Sequence, residues 1–289
     1  MKKHSRHIIL SVAAVFPLVL AVVVSATVED VTAKRKKQTT ETQKSYRLLG
    51  KSTLSGKKSW EDRLTVYPEC EATQIFNYST LDLEFVVGDP RIDVRMDVDD
   101  ICEHIKITQE GNKLYFYSLD DNVSTEGRIT VALPELTALY SYSIADMHAV
   151  RLEGNKVSVY GYGVGNVEIG EADVQSLTLC QGGVGDMRVE NVACHSAKLI
   201  QNGVGDLRVS TLKGTNAELV LNGVGDLRVP HLSADFVRVN NNGVGDVVIS
   251  GDECRSLTLI SYGVGNIVAR GMKAVKLIRV EEGTGSIRM

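Results

Sequence analysis

From Ser143 onward, the chain repeats one short phrase every twenty residues without a break in the count. The phrase is a glycine, an apolar residue, a second glycine and a short polar residue. A divergent first copy occupies Ser143–Met147. Clear copies begin at Gly163, Gly183, Gly203, Gly223, Gly243, Gly263 and Gly283. A fixed period of about twenty residues is typical of a solenoid, in which each repeat forms one coil and stacks on the next.

Alternating apolar residues predict strands within each repeat. Residues two apart on a strand face the same side, and two such pairs recur, beginning at Val157 with Val159 and at Val167 with Ile169. A third apolar column begins at Ala172. Alternation with β-branched residues favours strand over helix, and the leucine and asparagine pattern of a leucine-rich repeat is missing. The predicted fold class is all-β, a β-helix or solenoid with about 20 residues per rung.

The glycine phrase predicts a tight corner between strands. Glycine allows backbone conformations closed to other residues, so successive coils can approach closely there. Val164 and Val167 are both apolar although three residues apart, which predicts a bend that turns both side chains into the core. The short polar residue that follows would tie the turn by accepting hydrogen bonds from nearby backbone N–H groups.

These short polar residues form one column along the solenoid: Asp146, Asn166, Asp186, Asp206, Asp226, Asp246, Asn266 and Ser286. Arginines two residues later can offset the repulsion between stacked carboxylates. The turn interpretation explains why Asn and Ser substitute for Asp. The alternative is a calcium column, since calcium takes several oxygen ligands. Its weak candidate ligands are Asp186, Asp206, Asp226 and Asp246.

A second polar column combines asparagines with flanking tyrosines. Stacked amides can hydrogen-bond from rung to rung, which gives a structural interpretation. The functional alternative is a shallow sugar-binding strip, with amides for hydroxyl groups and tyrosines for ring faces. The residues of this candidate ligand strip are Tyr142, Tyr162, Asn202, Asn222, Asn242 and Tyr262.

No catalytic constellation or cofactor motif is evident, and the chain contains five cysteines. Cys194 and Cys254 share a column three rungs apart, about 14 Å at the usual strand spacing, which is too far for a disulfide. They are predicted to be small buried hydrophobes. Cys70 and Cys102 are the one pair that could form a bridge.

The N-terminal fifty residues predict targeting and spacing. Residues 1–27 read as a signal peptide or N-terminal anchor, because basic residues precede an apolar run that is nearly long enough to span a bilayer. No cysteine lies near the end of that run, so a lipoprotein anchor is not predicted. Residues 28–50 form a polar linker. The net charge of −4 argues against a broad nucleic-acid-binding surface.

Residues 51–142 are predicted to form an antiparallel or irregular β region. Short alternating segments are separated by turn signals such as Gly88-Asp89-Pro90 and Gly111-Asn112. This region would cap the N-terminal edge of the parallel β-helix at residues 143–289, whose backbone groups would otherwise be unpaired.

The order of motifs resembles a known family. Val-Arg-Met-Asp-Val-Asp-Asp-Ile-Cys-Glu-His-Ile-Lys-Ile is followed by Asn-Lys-Leu-Tyr-Phe-Tyr, by Ile-Thr-Val-Ala-Leu-Pro-Glu-Leu, and then by the Gly-x-Gly-Asp rungs. This set resembles the auto-transporter adhesin head domain, or GIN domain, of exported Bacteroidetes proteins over residues 55–289. The resemblance implies a β-helical envelope protein and supplies no catalytic residues.

Together these features predict an exported, non-enzymatic, adhesin-like binding or structural module of the periplasm, outer membrane or cell surface. Its partner would be a cell-surface glycan or protein, and its N-terminal segment would supply any membrane association. Two alternatives stay open. One is a polysaccharide-binding or polysaccharide-cleaving β-helix enzyme with paired carboxylates. The other is a self-assembling envelope scaffold whose coils stack end to end beyond Met289.

Overall fold

The computed structural model describes residues 62–68, 71–98, 100–119 and 127–289. Almost all regular elements in these ranges are strands, which form a β-solenoid of about eight turns with about 20 residues per turn. The predicted fold class is therefore confirmed. No helix in the described ranges is long and apolar enough to cross a membrane. The predicted targeting segment and linker lie outside the described residues.

The described residues of the N-terminal region form eight strands and one short helix. They are β1 Asp62–Val66, β2 Gln74–Tyr78, β3 Asp82–Val87, β4 Arg91–Met96, α1 Ile101–His104, β5 Ile105–Glu110, β6 Lys113–Ser118, β7 Gly127–Leu133 and β8 Ala138–Ser141. The later coils contain β9 Met147–Gly161, β10 Val167–Gln181, β11 Met187–Gln201, β12 Leu207–Leu221, β13 Leu227–Asn241, β14 Val247–Gly251, β15 Glu253–Ser261, β16 Ile267–Arg270, β17 Lys273–Glu281 and β18 Ile287–Arg288.

The later coils stack in parallel with a shift of twenty residues, apart from one irregularity between β13 and β14, where Leu232 pairs with Gly251. Val167 of β10 pairs with Met187 of β11, and the same shift relates the strands from β9 through β18. Each residue therefore lies directly over its equivalent in the preceding coil. This register makes every inward and outward column of the sequence a continuous physical line.

The inward columns form one apolar core. The columns that begin at Val157, Val159, Val167, Ile169 and Ala172 are buried through most coils, as their alternation predicted. Ile169 and Ala172 both point inward although they are three residues apart. The strand alternation is thus broken at residues 170–171, away from the glycine phrase.

The valine of the glycine phrase does not fill the core, so that prediction was wrong. Val164 is 53% exposed and Val264 is 56% exposed, whereas Val167 is 1% exposed. The corner keeps the alternation of a regular strand: the glycines take the alternate positions, and the valine between them points outward. The outward valines pair with one another as single parallel bridges from Val184 to Val264.

The glycines are required because the coils nearly touch at this corner. Gly225 has a φ of +126°, and a Cβ there would lie 2.1 Å from the carbonyl oxygen of Gly205. A Cβ at Gly223 would lie 2.2 Å from the carbonyl oxygen of Gly203. No L side chain fits either position. The prediction that glycine permits close approach of successive coils is confirmed.

The N-terminal region caps the solenoid and also extends it. β2 pairs in parallel with β6 and β8, and β3 pairs in parallel with β7 and β9. The coils therefore follow the order β6–β7, β2–β3, β8–β9 along the axis, which differs from their order in the chain. Antiparallel pairing, one of the two arrangements that the sequence predicted for this region, joins β5 to β6, β4 to β7 and β1 to β4.

Candidate functional site

The predicted strip lies on one side of the solenoid, which we call the long face. It is the outward side of β5, β6, β2 and β8, of the C-terminal halves of β9 to β13, and of β15 and β17. Alternate residues of each strand point outward here. Its outward columns therefore run across both the N-terminal coils and the later ones.

Eight aromatic rings cover the N-terminal part of the long face, and we call them the aromatic wall. They form two ladders, Tyr115–Phe76–Tyr140–Tyr160 and Tyr117–Tyr78–Tyr142–Tyr162. Neighbouring rings of a ladder have centroids 4.5–5.5 Å apart and planes within 26° of parallel. Ring faces are thus covered by other rings, and the wall presents mainly ring edges and hydroxyl groups.

Sequence analysis found only two of these eight rings, Tyr142 and Tyr162. Four of the others belong to β2 and β6, which lie outside the twenty-residue register. Their signal was the aromatic residue at every second position in Gln74–Tyr78 and in Lys113–Ser118. Tyr140 and Tyr160 follow the twenty-residue register. Their column continues as Cys180, Ile200 and Val220, so the repeat pattern did not indicate an aromatic ladder.

The wall ends at Tyr162. Its ring lies over Gly182, where a Cβ would be 2.7 Å from two ring carbons. Desolvation by burial and the neighbouring Cys180 raise the pKa of the Tyr162 hydroxyl well above its usual range. Burial is also the main cause that raises the pKa of Tyr115 and of Tyr140. The hydroxyl groups of these three tyrosines are therefore neutral at physiological pH.

Beyond Gly182, the same outward column continues as the predicted amide ladder. The side-chain amide of Asn222 donates to Oδ1 of Asn202 at 2.7 Å, and that of Asn242 donates to Oδ1 of Asn222 at 2.9 Å. Asn222, the internal member of the ladder, keeps a second N–H and a second oxygen lone pair for solvent or a ligand. Tyr262 follows, 53% exposed and without a ring contact to any described residue.

The aspartate column links successive coils. The backbone N–H of Asp226 donates to Oδ1 of Asp206 at 2.8 Å, and that of Asp246 donates to Oδ1 of Asp226 at 2.7 Å. The same bond recurs from Asp146 to Ser286. The short polar residues do bond to backbone N–H groups, as predicted, but the donor belongs to the next coil rather than to the same turn.

Asp186, Asp206 and Asp226, three of the four candidate calcium ligands, have partners at both carboxylate oxygens. Their Oδ1 atoms accept backbone N–H groups, and Arg228 pairs with Oδ2 of both Asp206 and Asp226. Arg188 pairs with Asp186 at 2.7 Å. Among the residues that the structure describes, no group of three or more His, Cys, Asp and Glu side chains could hold a metal ion.

A buried amide, which the repeat pattern did not predict, lies at the inner side of the corner. Gln201 is fully buried, accepts a hydrogen bond from the N–H of Gly203 at 2.9 Å, and donates to the carbonyl of Gly205. Asn241 makes the same two bonds to the glycines of its own corner, at 3.2 and 2.9 Å. The amide thus satisfies backbone groups of the buried turn. Its signal was a polar residue two positions before the phrase, at Gln181, Gln201, Asn241 and Ser261.

Cys194 and Cys254 share one column of the repeats. Cys254 is buried and Cys194 is partly buried, and burial raises the pKa of the Cys194 thiol to about 11. Both thiols thus remain protonated at neutral pH, in keeping with the predicted small hydrophobes. Cys70 lies outside the described residues, so its bridge to Cys102 stays a prediction.

A shallow groove of about 560 Å³ lies beside the strip on the long face. Small polar side chains form most of its floor, and Phe236 is exposed within it. Sequence analysis did not identify this groove, because its residues differ from coil to coil. The wall, the strip and the groove together form the candidate binding surface.

The sequence matches the family described as "Putative auto-transporter adhesin, head GIN domain" over residues 73–231 and 197–289. The chain belongs to this family. No curated protein matches the sequence.

Solved structures share the fold at low sequence identity. A "putative adhesin" from Bacteroides fragilis is 21% identical, covers 78% of this chain and 96% of its own, and has a TM-score of 0.55. A "putative adhesin" from Parabacteroides merdae is 16% identical, with coverage of 79% and 96% and a TM-score of 0.61. A "putative lipid binding protein" from Parabacteroides distasonis is 15% identical, with coverage of 79% and 97% and a TM-score of 0.58.

Proposed function

We propose that this protein is a non-catalytic, adhesin-like binding module of the bacterial cell envelope that holds an extended ligand on its long face. The observation that carries the proposal is the continuity of the wall and the strip on one hydrogen-bonded sheet face. The adhesin description of the family supports it, as do the adhesin names of structural neighbours from Bacteroides fragilis and Parabacteroides merdae.

The strip has the chemistry and the length for an extended polar ligand. Tyr142 and Tyr262 are six coils apart, which is about 29 Å at the usual strand spacing. Each asparagine between them keeps hydrogen-bonding groups directed outward, and such groups suit the hydroxyls of a glycan or the polar surface of a protein. The sheet holds these groups at fixed spacing, so little ordering entropy is lost on binding.

A glycan array combined with a polysaccharide hydrolysis and lyase screen tests the proposal on the full chain. We expect binding without turnover, and at least tenfold weaker binding when Asn222 and Asn242 are both changed to Ala. Asn191→Ala is the matched control, since Asn191 is an exposed asparagine on a different part of the coil. Turnover of any polysaccharide would instead favour the β-helix enzyme.

Export and assembly state have separate tests. Fractionation of the native cells with N-terminal sequencing is expected to place the protein in the envelope, with residues 1–27 removed or retained as an anchor. An intact N-terminus in the cytosolic fraction would contradict export.

Light scattering at rising protein concentration tests the scaffold alternative, which requires the molecular mass to increase with concentration.

A further inference from the structure

We propose that the groove beside the strip binds an acidic oligosaccharide, with Phe236 against a sugar ring and with Lys156 and Arg238 against its carboxylate or sulfate groups. The inference rests on the proposed function and deepens it, since it names a ligand class and a second site. The groove runs along the solenoid over successive coils. It lies on two outward columns, one that contains Lys156 and one that contains Thr178.

Phe236 differs from the rings of the wall. Its neighbours in the preceding and following coils are Asn216 and Ser256, so no ring covers its faces from within its own column. The side chain is 44% exposed. Single exposed apolar residues are common on proteins, but this ring lies in a groove with hydroxyl and amide groups on either side. An apolar ring face with polar neighbours matches a sugar, which has an apolar C–H face and hydroxyl edges.

The groove is locally basic on an acidic protein. Its charged lining consists of Lys156, Lys198, Glu218 and Arg238, in a chain with a net charge of −4. Lys198 Nζ lies 3.0 Å from Glu218 Oε2, so these two charges compensate each other. Lys156 and Arg238 form no ion pair with any described residue, which leaves two cations available for an anionic ligand.

The spacing of these cations favours a chain of acidic units over a single small anion. Lys156 and Arg238 lie four coils apart, which is about 19 Å along the axis. A ligand that contacts both must present anionic groups along its length. The floor between them carries the hydroxyl or amide groups of Ser176, Ser196 and Asn216, which can bond to the hydroxyls of intervening sugars.

Single-stranded nucleic acid also combines rings with spaced anions, but the groove fits it less well. Proteins that bind such strands stack successive bases on several aromatic side chains. The groove offers one ring, Phe236, and the hydroxyl-rich floor has no second platform. Oligothymidylate is therefore included as a competing ligand in the test.

The test is calorimetric titration of the full chain with tetramers of galacturonate and mannuronate and with a heparin-derived tetrasaccharide. At least one should bind, and raising the salt concentration should weaken its binding, because charge pairs are screened. If galacturonate binds, its fully methyl-esterified tetramer is the matched neutral ligand and should bind at least tenfold more weakly. Equal binding of the ester would overturn the role of charge.

Two variants replace a groove residue with the residue found at the equivalent position of the next coil. Phe236→Ser copies Ser256 and Arg238→Thr copies Thr258, so both should keep the fold, as thermal melting can verify. We expect at least tenfold weaker binding for Phe236→Ser and at least threefold for Arg238→Thr. Two control variants change residues outside the groove. Tyr67→Ser removes a ring that is 58% exposed, and Arg208→Thr removes an exposed cation. Both control variants should bind the ligand normally.

The outcomes separate this proposal from the proposed function. Failure of the full chain to bind any of the acidic tetramers overturns the groove assignment, whereas glycan-array binding that depends on Asn222 and Asn242 leaves the strip in place. Binding that both groove variants leave unchanged also overturns it. Tighter binding of oligothymidylate than of every acidic tetramer would overturn the ligand class.

Discussion

The N-terminal coils and the later coils fill the same outward column of the long face with different chemistry. In the N-terminal coils, Tyr78 stacks on Tyr142 at 4.7 Å between ring centroids. In the later coils, Asn222 bonds to Asn202 at 2.7 Å. Both ladders are built on the same spacing of parallel strands. The backbone therefore supplies a common template, and the side chains decide whether the surface presents ring edges with hydroxyl groups or side-chain amides.

The inner side of the corner shows the opposite relation, since two different sequences make the same bonds. In the N-terminal coil, the N–H of Ser79 donates to Oδ1 of Asn77 at 3.0 Å, and the Asn77 amide donates to the carbonyl of Leu81 at 3.5 Å. Gln201 repeats both bonds with glycines. The buried amide is thus common to both corners, whereas the glycines belong to the closely stacked later coils.

The largest expected effect sharpens this difference between glycines. Gly225→Ala should lower the free energy of unfolding by about 3 kcal/mol or more, because it combines a forbidden φ with a clash against the preceding coil. Gly111→Ala, in the β5–β6 turn, should cost only about 1 kcal/mol, because its φ of +58° is accessible and nothing lies within 4 Å of a Cβ there. Urea unfolding measures both, and equal losses would contradict the close-stacking argument.

The buried amide comes next. Gln201→Ala should cost about 2–4 kcal/mol of unfolding free energy, because it leaves a cavity and removes partners from buried backbone groups. Gln201→Leu should cost less, since Leu221 occupies the equivalent position of the next coil, also fully buried. Denaturant unfolding tests this order. A loss below about 0.5 kcal/mol for the alanine variant would show that the corner does not need the amide.

The two ladders can be compared directly by one pair of substitutions in a single column. Tyr142→Ala should cost about 2 kcal/mol, because it uncovers the stacked faces of Tyr78 and Tyr162. Asn222→Ala should cost about 0.5 kcal/mol, because its two ladder bonds are exposed to water. Thermal unfolding would contradict the comparison if the asparagine variant proved the less stable.

The aspartate column allows a finer test. Asp206→Ala should cost about 1 kcal/mol, since it removes the acceptor for the N–H of Asp226 and the partner of Arg228. Asp206→Asn should cost less, because Asn166 already accepts the equivalent bond from the N–H of Asp186 at 3.0 Å. An asparagine variant as unstable as the alanine variant would mean that the ion pair, not the backbone bond, carries the contribution.

The smallest expected effect is the change in stability with pH that the tyrosines of the wall cause. Folding raises the pKa of Tyr115, Tyr140 and Tyr162 above the usual value of about 10. Their contribution to stability is therefore complete below about pH 10 and is lost as the pH rises, because the unfolded chain ionises first. Thermal unfolding between pH 9 and about pH 11 should show a decline. Tyr140→Phe, which imitates Phe76 in the same ladder, should flatten it.

The candidate site was predictable only where it follows the repeat. The asparagines of the strip recur at a fixed position, so their alignment and their ladder bonds could be inferred. The outward direction of Val164 could not, because hydrophobicity favoured the core, whereas alternation through the small glycines placed the side chain outside. Phe236 lies in a column whose neighbouring members, Asn216 and Ser256, are polar. A repeat pattern cannot predict a residue that departs from it, so the groove around Phe236 was not predictable.

The sequence by itself determined the period, the class of fold, the apolar columns and the need for glycine at the corner. These follow from local alternation and from the twenty-residue register, because equivalent residues of successive repeats become neighbours in space. The tertiary structure alone decided that β2–β3 lies between β6–β7 and β8–β9. That order brings together rings far apart in the chain, because backbone pairing across coils, and not distance along the sequence, sets which side chains meet.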